Sequence, residues 1–476
     1  AIDVVLRLSM FPGISGTVGI PNRVPDIQEH IKLSKTPINS LGYKHIFATS
    51  PNNLLYCQSR VLPTTEIMPQ KIVIIGAGFA GVWSALSAKR LANLTKNENT
   101  IEVLVIAPEP SLVIRPRLYE AKASSMTHAI GTLFQAAGIK YLQGCANTIH
   151  TDKHTIQVQS ADGMQSTISY DRLILAAGSR LVQPDGIKGI KQHAFDIDSL
   201  ASATKFETHL ENLPSLPASP ARDTIVVCGA GFTGIELATE LPKRLGHVAN
   251  HRIILVGNED QVGPALGPGP RPVITQALKD LGIELKLGSA VTAIDADGVT
   301  LASGEHIETN TCIWTAGVRA TSLTQQIPGD KDGLSRLRVD KYLRVPLAGH
   351  VYATGDAACA LADDKGHYAL MSCQHALSLG RVSGHNAAAD LLGEPMTEYV
   401  QETYNCCLDL GAWGTVISQG WDLEVKITGD LAKKIKCYIN QKLIYPPIEA
   451  KEALELANPV GPDSDQLFRQ ILQAVA

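Results

Sequence analysis

The sequence lacks three features that would each indicate a particular class of protein. Its nine cysteines are scattered along 476 residues, only Cys406 and Cys407 are adjacent, and no C-x-x-C pair occurs. This excludes the usual zinc spacings, gives no disulfide framework and favours a reducing compartment. No run approaches the roughly 18 apolar residues that a membrane-spanning helix needs. A net charge of −4 without a basic stripe gives no sign of nucleic-acid binding.

What the sequence does contain is one glycine loop in two copies. "KIVIIGAGFAG" begins at Lys71 and "TIVVCGAGFTG" at Thr224. In each copy a β-branched apolar run, typical of a strand buried in a parallel sheet, leads into G-x-G-x-x-G and then into a helical pattern. The first glycine of this motif permits a tight turn, the second lets the backbone approach a pyrophosphate, and the third allows close helix–strand packing. The N–H groups at the start of the helix then face the phosphates.

The two copies belong to a longer duplication. Each half runs strand, glycine loop, helix, strand, antiparallel hairpin and a strand that ends in Ala-Gly. We therefore predict an α/β protein with two Rossmann-like dinucleotide-binding domains and a small α+β C-terminal region. The predicted divisions are an N-terminal extension over 1–67, a first dinucleotide domain over 68–221 and 326–395, a second one inserted over 222–325, and a C-terminal region over 396–476.

Two dinucleotides in one chain predict a nicotinamide that gives hydride and a flavin that takes it. On motif grounds alone, either loop could serve either cofactor. The acid that usually binds ribose hydroxyls at the end of the second strand is missing, because Ala107 and Gly257 stand there. Glu109 and Glu259 follow two residues later as substitutes. No arginine stands beside Gly257 to bind a 2′-phosphate, so NADH and NADPH both remain open.

Three further segments carry a family resemblance. Together with the twin loops, "YDRLILAAGS", "IWTAGVRA" and "VYATGDAA" resemble the flavoproteins with two dinucleotide domains, and within them the type II NADH dehydrogenase group. The resemblance covers about 68–395. It implies a single-chain enzyme that passes electrons from NADH through FAD to a quinone, with FAD on the first loop and the nicotinamide nucleotide on the second.

The motifs and this resemblance together assign the cofactor-binding positions. For FAD they are Gly76, Gly78, Phe79, Ala80, Gly81, Glu109, Arg117, Ala177, Gly178, Gly355 and Asp356. For the nicotinamide nucleotide they are Gly229, Gly231, Thr233, Gly234, Glu236, Glu259 and Gly317. The carboxylate of Asp356 suits a sugar hydroxyl chemically, although an aspartate after glycine also forms turns.

Glu236 is the first candidate catalytic residue. The resemblance places a glutamate there, near the point where nicotinamide stacks on flavin. An acid in the first turn of a helix is also favoured by the helix dipole, so a capping role is the alternative. The resemblance further places "SLVIRPRLYEA" under the flavin ring, where Arg115 and Arg117 would bind phosphates or reduced flavin, unless they form a solvated surface pair.

The sequence departs from related families at two places. The C-x-x-x-x-C pair of the disulfide reductases is absent, which excludes a thiol relay through that motif. The helix "SCQHALSLGRVSG" resembles the quinone-pocket helix and keeps its glutamine as Gln374, but the second glutamine is Leu379. Gln374 and His375 complete the candidate catalytic set. Two roles are open for His375: it relays a proton to the quinone or flavin, or it is a structural histidine.

The two termini leave location open. Residues 1–67 fit either a targeting peptide or an extension packed on the body, so organellar targeting is one alternative. In "GDLAKKIKCYINQKL", Leu431, Ile435 and Ile439 share one side, with lysines around them. This pattern fits a helix at a membrane surface or a helix packed on the body. A cytoplasmic protein, a peripheral membrane protein and a homodimer all remain open.

The predicted function is that of an FAD-dependent NAD(P)H oxidoreductase without a metal. Hydride passes from NAD(P)H to flavin, and electrons pass on to a small-molecule acceptor, with quinone favoured. One alternative is a soluble reductase that uses an electron-transfer protein, an aromatic compound or oxygen. Another is a redox-sensing interaction protein like the apoptosis-inducing-factor group.

Overall fold

The computed structural model describes residues 68–248, 250–461 and 464–475. The two hypotheses for residues 1–67, a targeting peptide and a packed extension, lie outside the described residues.

The first part of the chain alternates strands with helices and adds small antiparallel sheets. Its strands are β1 (Gln70–Ile75), β2 (Ile101–Ala107), β3 (Ser111–Val113), β4 (Thr127–Ala129), β5 (Lys140–Gln143), β6 (Cys145–His150), β7 (Thr155–Gln159), β8 (Gln165–Ser169), β9 (Arg172–Leu175), β10 (Ser179–Leu181) and β11 (Ala194–Phe195). Its helices are α1 (Phe79–Leu94), α2 (Gly131–Ala137), α3 (Ile190–His193), α4 (Leu200–Asn212) and α5 (Pro220–Asp223).

The middle part repeats this plan in a shorter form. Its strands are β12 (Thr224–Cys228), β13 (Arg252–Val256), β14 (Glu284–Lys286), β15 (Val291–Ile294), β16 (Gly298–Leu301), β17 (His306–Glu308), β18 (Thr311–Trp314) and β19 (Val318–Ala320). Its helices are α6 (Phe232–Arg244) and α7 (Arg271–Asp280).

The last part contains one long helix and an antiparallel sheet. Its strands are β20 (Leu337–Arg338), β21 (Arg344–Val345), β22 (Ala348–Ala353), β23 (Ala358–Cys359), β24 (Asn405–Asp409), β25 (Thr415–Gln419) and β26 (Glu424–Thr428). Its helices are α8 (Cys373–Leu392), α9 (Gly429–Tyr438), α10 (Ala450–Leu456) and α11 (Ser464–Val475).

Two separate parallel sheets carry the two glycine loops. The first has the strand order β21-β22-β9-β1-β2-β5, in which only the β21–β22 pair is antiparallel. The second has the order β11-β18-β12-β13-β14 and is parallel throughout. Apolar β-branched runs form both sheet centres because both faces of β1 and β12 are covered. The predicted α/β class with two Rossmann-like sheets is confirmed.

The order of the strands along the chain shows how the second sheet is inserted. Strand β22 pairs with β9 in the first sheet, but in the sequence it follows all the strands of the second sheet. The second sheet also takes β11 from upstream of residue 222. The exact domain divisions given above stay predictions.

The predicted hairpins each belong to a three-stranded antiparallel sheet. The orders are β6-β7-β8 and β15-β16-β17, and the C-terminal region adds a third sheet of this kind, β24-β25-β26. The last sheet packs against α6 and α9, and α11 packs on α9. The C-terminal region therefore contacts the helix that follows the second glycine loop.

Helix α8 lies close beside α1 and so reaches the first glycine loop. A side-chain carbon at Gly384 would stand 2.0 Å from the carbonyl oxygen of Ser84, so glycine is needed for this approach. The hydroxyls of Ser84 and Ser383 are 3.0 Å apart across the same contact. This packing fixes the start of α8, with Gln374, next to the loop between β1 and α1.

Candidate active site

The first glycine loop has the geometry that a pyrophosphate site requires. Gly76 has φ +109°, which favours glycine, and a side-chain carbon at Gly81 would stand 1.9 Å from the carbonyl oxygen of Gly76. At Gly78, by contrast, a side-chain carbon would meet nothing within 4 Å. Gly78 also caps α1 without any side-chain hydrogen bond, so the first-turn N–H groups remain available to an anion.

The second loop repeats these three roles. Gly229 has φ +130°, and a side-chain carbon at Gly234 would stand 1.8 Å from the carbonyl oxygen of Gly229. Gly231 is exposed, has open space beside it and caps α6 without a side-chain bond. The structure thus contains two equivalent cradles for phosphate, one at the start of α1 and one at the start of α6.

Both cradles open into one cleft of about 2620 Å³. Ligand sites usually measure about 300–1,000 Å³, so this cleft has room for more than one molecule. Of the assigned positions, those that line it are Gly76, Gly78, Phe79, Ala80, Glu109, Ala177, Gly178, Gly231, Thr233, Glu236, Gly317, Gly355, Asp356 and Gln374. The assigned positions that do not line it are Gly81, Gly229, Gly234, Arg117, Glu259 and His375. The three glycines in this second group are the turn and packing positions described above.

Asp356 lies in a polar group on the side of the first loop. Its Oδ2 accepts a hydrogen bond from the Ser179 hydroxyl at 2.6 Å. Arg115 donates to the same hydroxyl at 2.8 Å and also pairs with Asp198. All four side chains line the cleft. A sugar hydroxyl could exchange into this network because Asp356 has further acceptor capacity.

Two of the predicted cofactor contacts are not brought to the cleft. The guanidinium of Arg117 donates to Glu120 at 2.9 and 2.7 Å and to Tyr445 at 3.0 Å, so it ties two chain segments together. Arg115 is the arginine of this segment that lines the cleft. Glu259 is exposed outside the cleft, in a loop where its carbonyl accepts from Gly288. Strand β13 ends at Val256, and Glu259 lies in the loop that follows Gly257.

Glu236 forms a buried ion pair that the sequence patterns did not reveal. Its Oε1 accepts from the Lys436 ammonium at 3.0 Å and from the main-chain N–H of Asp409 at 3.1 Å. The side chains of Glu236 and Lys436 are only 5% and 8% exposed. Glu236 accepts no hydrogen bond from the first-turn N–H groups of α6, and its carboxylate is directed to Lys436 and Asp409 instead.

Burial shifts the pKa values of both residues of this ion pair. Burial raises the pKa of Glu236 to about 7, although the attraction of Lys436 opposes the rise. Burial lowers the pKa of Lys436, but the charge and hydrogen bond of Glu236 together with Cys407 and Asp409 outweigh this effect, and the pKa lies above its usual value. Lys436 therefore stays charged, while Glu236 can gain or lose a proton near neutral pH.

Lys436 comes from α9, the helix whose lysines fitted a membrane surface. Ala432, Ile435 and Lys436 are all buried on one side of α9, whereas Leu431 and Lys434 are exposed. The apolar side therefore packs on the body and carries a lysine to Glu236. This packing supports the alternative in which α9 is a helix packed on the body. No helix among the residues described here is long and apolar enough to cross a membrane.

Gln374 and His375 follow each other at the start of α8 but face different surroundings. Gln374 lines the cleft. His375 is fully buried, its Nδ1 is 2.9 Å from the Ser372 hydroxyl, and its ring lies 5.3 Å from that of Tyr404. Burial lowers the pKa of His375 to about 4, so the ring is neutral at pH 7. The structure therefore favours the structural role for His375.

Two cysteines line the same cleft but remain thiols. These are Cys373, before Gln374, and Cys407 on β24. Burial raises the pKa of both, to about 11 for Cys407. Since the thiolate is the reactive form, neither cysteine is activated for thiol chemistry at neutral pH.

Comparison with known proteins agrees with this architecture. The family model for pyridine nucleotide-disulphide oxidoreductases matches residues 70–380. An NADH dehydrogenase-like protein of Mycobacterium tuberculosis is 40% identical over 394 residues, which cover 81% of this chain and 97% of that protein. The demethylphylloquinone reductase of Synechocystis is 28% identical, with 80% and 92% covered.

Solved structures show the same fold at low identity. The sulfide:quinone oxidoreductase of Aquifex aeolicus superposes with a TM-score of 0.67 at 17% identity, over 86% of this chain and 96% of that one. The family match spans more than half of the chain and includes both glycine loops. The resemblance found in the motifs is confirmed, and the chain belongs to the pyridine nucleotide-disulphide oxidoreductase family.

Proposed function

We propose that this protein is an FAD-dependent NADH dehydrogenase that passes electrons to a quinone. The observation that carries the proposal is that two equivalent phosphate cradles open into one cleft, which a buried acid of near-neutral pKa also lines. Two dinucleotides held in one cleft can place their redox-active rings against each other.

The residues around the first loop fit FAD. The open space at Gly78 and the uncapped start of α1 suit the pyrophosphate, and Asp356 suits the sugar-like chain between phosphate and ring. Gly355 and Gly178 line the cleft nearby. Bound there, FAD would supply a two-electron centre that takes hydride from the nicotinamide and passes electrons on to the acceptor.

The residues around the second loop fit the nicotinamide nucleotide. Gly231 and the uncapped start of α6 offer N–H groups to its pyrophosphate, and Thr233 and Gly317 line the same side of the cleft. We propose NADH rather than NADPH because the Mycobacterium tuberculosis relative is named NADH dehydrogenase-like.

Glu236 is proposed to bind and release the proton that accompanies electron transfer. Reduction of a quinone to a quinol consumes two electrons and two protons, but NADH brings only a hydride. The missing proton has to enter a largely buried site. Glu236 lines the cleft and has a pKa of about 7, which suits a group that binds and releases a proton at neutral pH.

The acceptor side of the cleft is largely apolar. Gln374, Leu377 and Ser378 form one face of α8, at the spacing of successive helical turns. The C-terminal region supplies an aliphatic wall, made of Ile417, Ile427, Ile435, Ile439 and Leu467. A flat apolar acceptor with a few oxygen atoms fits this lining, and the relative from Synechocystis is named for such a quinone.

A contact with a membrane surface is proposed on the basis of exposed apolar residues at the cleft. Leu370, Val400, Leu456 and Val460 line the cleft and are 44–68% exposed. Side chains in such a position could meet the lipid phase from which a quinone comes. The homodimer considered from the sequence stays a prediction.

The proposal is tested with purified protein. We expect a flavin absorption spectrum, its bleaching by NADH without oxygen, and its recovery on adding a short-chain quinone. Recovery that is faster with oxygen or with a soluble dye than with quinone would favour the soluble reductase. Poor turnover with every acceptor, together with an NADH-dependent change of oligomeric state, would favour a redox sensor.

A further inference from the structure

Asp409, the last residue of β24, connects three distant parts of the chain. Its Oδ2 accepts from the hydroxyl of Tyr119 at 2.8 Å, and its Oδ1 accepts from the ammonium of Lys433 at 2.5 Å. Its main-chain N–H donates to Oε1 of Glu236 at 3.1 Å. The side chain of Asp409 is 7% exposed and does not line the cleft. It can therefore act on the cleft only through its neighbours.

The four charged side chains here form two ion pairs. Lys436 pairs with Glu236, and Lys433 pairs with Asp409. The two lysines stand three residues apart on α9 and so lie on neighbouring turns. With both acids ionised the group has no net charge. Protonation of Glu236 leaves a net charge of +1, and the negative charge of Asp409 makes that state less unfavourable.

The other titratable groups around Asp409 do not replace it. Glu240 is buried one turn after Glu236, and it pairs with Lys243 at 3.3 Å. Burial raises the pKa of Tyr119 well above its usual value, and burial also raises the pKa of the thiols Cys407 and Cys437. All three are neutral at pH 7.

We propose that Asp409 is the positioning residue that sets how readily Glu236 takes up a proton, and hence the pH at which the redox site works. This inference rests on the proposed function, in which Glu236 handles the proton. Charge effects are strong at this depth because the local dielectric constant is far below that of water. The pKa of Glu236 is raised by burial and lowered by Lys436 and by the main-chain hydrogen bond from Asp409, and the charge of Asp409 follows as a smaller effect that raises it.

Two substitutions should shift the pH dependence in opposite directions. In Asp409→Asn the main-chain N–H still reaches Glu236 and the amide keeps one of the two side-chain oxygens that accept hydrogen bonds, but the negative charge is gone. Glu236 should then lose its proton more easily, and its pKa should fall by about one unit or more. In Lys433→Met a positive charge is removed, so the pKa of Glu236 should rise by about one unit. The double variant should return close to wild type.

The shift is measured in two ways. The first is the pH dependence of anaerobic flavin reduction by NADH in the full-length holoprotein. The second is infrared titration of the Glu236 carboxyl in oxidised protein, with the band identified by its loss in Glu236→Gln. Glu240→Gln serves as a control that should leave this band in place.

Opposite shifts in the two variants support the proposal. Unmoved profiles, or shifts in the same direction, overturn it. If Asp409→Asn does not fold, Lys433→Met decides the question, because its side chain is 31% exposed and its predicted shift is alkaline. Failure of NADH and NADPH to bleach the wild-type flavin would instead contradict the proposed function, and the infrared titration would still test the role of Asp409.

Discussion

The ammonium of Lys436 lies 3.0 Å from Oε1 of Glu236, across 200 residues of sequence, and both side chains are almost completely buried. This contact joins the helix after the second glycine loop to the C-terminal region. It also places an acid with a pKa of about 7 in the wall of the cleft. The C-terminal region therefore completes the candidate active site.

Removal of the Glu236 carboxylate should slow the chemistry and leave binding intact. We expect Glu236→Gln to lower the rate of flavin reduction or of its reoxidation by quinone about 100-fold or more, in line with the usual contribution of an acid–base group. Stopped-flow absorbance with NADH and then with quinone would show which step is slowed. Glu240→Gln is the matched control, because Glu240 is equally buried on the same helix but does not line the cleft. Equal rates in wild type and Glu236→Gln would contradict the proton role.

Replacement of Lys436, the cation of the ion pair, should destabilise the fold. Lys436→Met leaves the Glu236 carboxylate buried without its cation, which typically costs about 3–5 kcal/mol. The free energy of unfolding from urea denaturation measures this loss. Lys434→Met, on the exposed side of the same helix, should change it by less than about 0.5 kcal/mol. A similar small effect for Lys436→Met would show that the pair is not important for stability.

Substitution of the second glycine of each loop should show which loop binds which cofactor. A methyl group at Gly78 or Gly231 meets no atom within 4 Å beyond its own chain neighbours, so both alanine variants should fold. We expect Gly78→Ala to lower the flavin content of the purified protein, because the methyl group occupies the space of a pyrophosphate. Gly231→Ala should keep the flavin and weaken NADH binding. Fluorescence titration and the flavin spectrum measure both effects, and the reverse pattern would exchange the roles of the loops.

His375 should affect acid stability rather than the proton transfer. Its pKa is about 4 in the fold and about 6.5 when unfolded, so the unfolded chain binds the proton first. The stabilising contribution of neutral His375 is complete above about pH 6.5 and is lost as the pH falls toward 4. The melting temperature of wild type should therefore fall more steeply over this range than that of His375→Gln. A change in the pH profile of flavin reduction near pH 7 in His375→Gln would instead support a proton relay.

The fold and half of the site follow from local patterns in the sequence. The apolar run and the three glycines lie within about twelve residues and lead directly into the helix, so each loop can be recognised from its own segment. The buried position of Lys436 could not be recognised in this way. Its spacing from Ala432 and Ile435 places it on the apolar side of α9, but the acid that accepts its charge comes from α6.

The sequence patterns also did not show which side chains of a segment face the cleft. Gln374 and His375 are adjacent, and only the packing of α8 against α1 decides which one faces the cleft. Arg115 and Arg117 differ in the same way, since Glu120 and Tyr445 hold Arg117 elsewhere. Contacts between segments that are distant in the sequence determine which residue of each pair faces the cleft.

The most direct test of the account is an anaerobic titration of the purified protein with NADH, followed by a short-chain quinone. The account predicts a bound flavin whose absorption is bleached by one equivalent of NADH and restored by one equivalent of quinone. A protein that binds no flavin, or a flavin that neither NADH nor NADPH reduces, would contradict it.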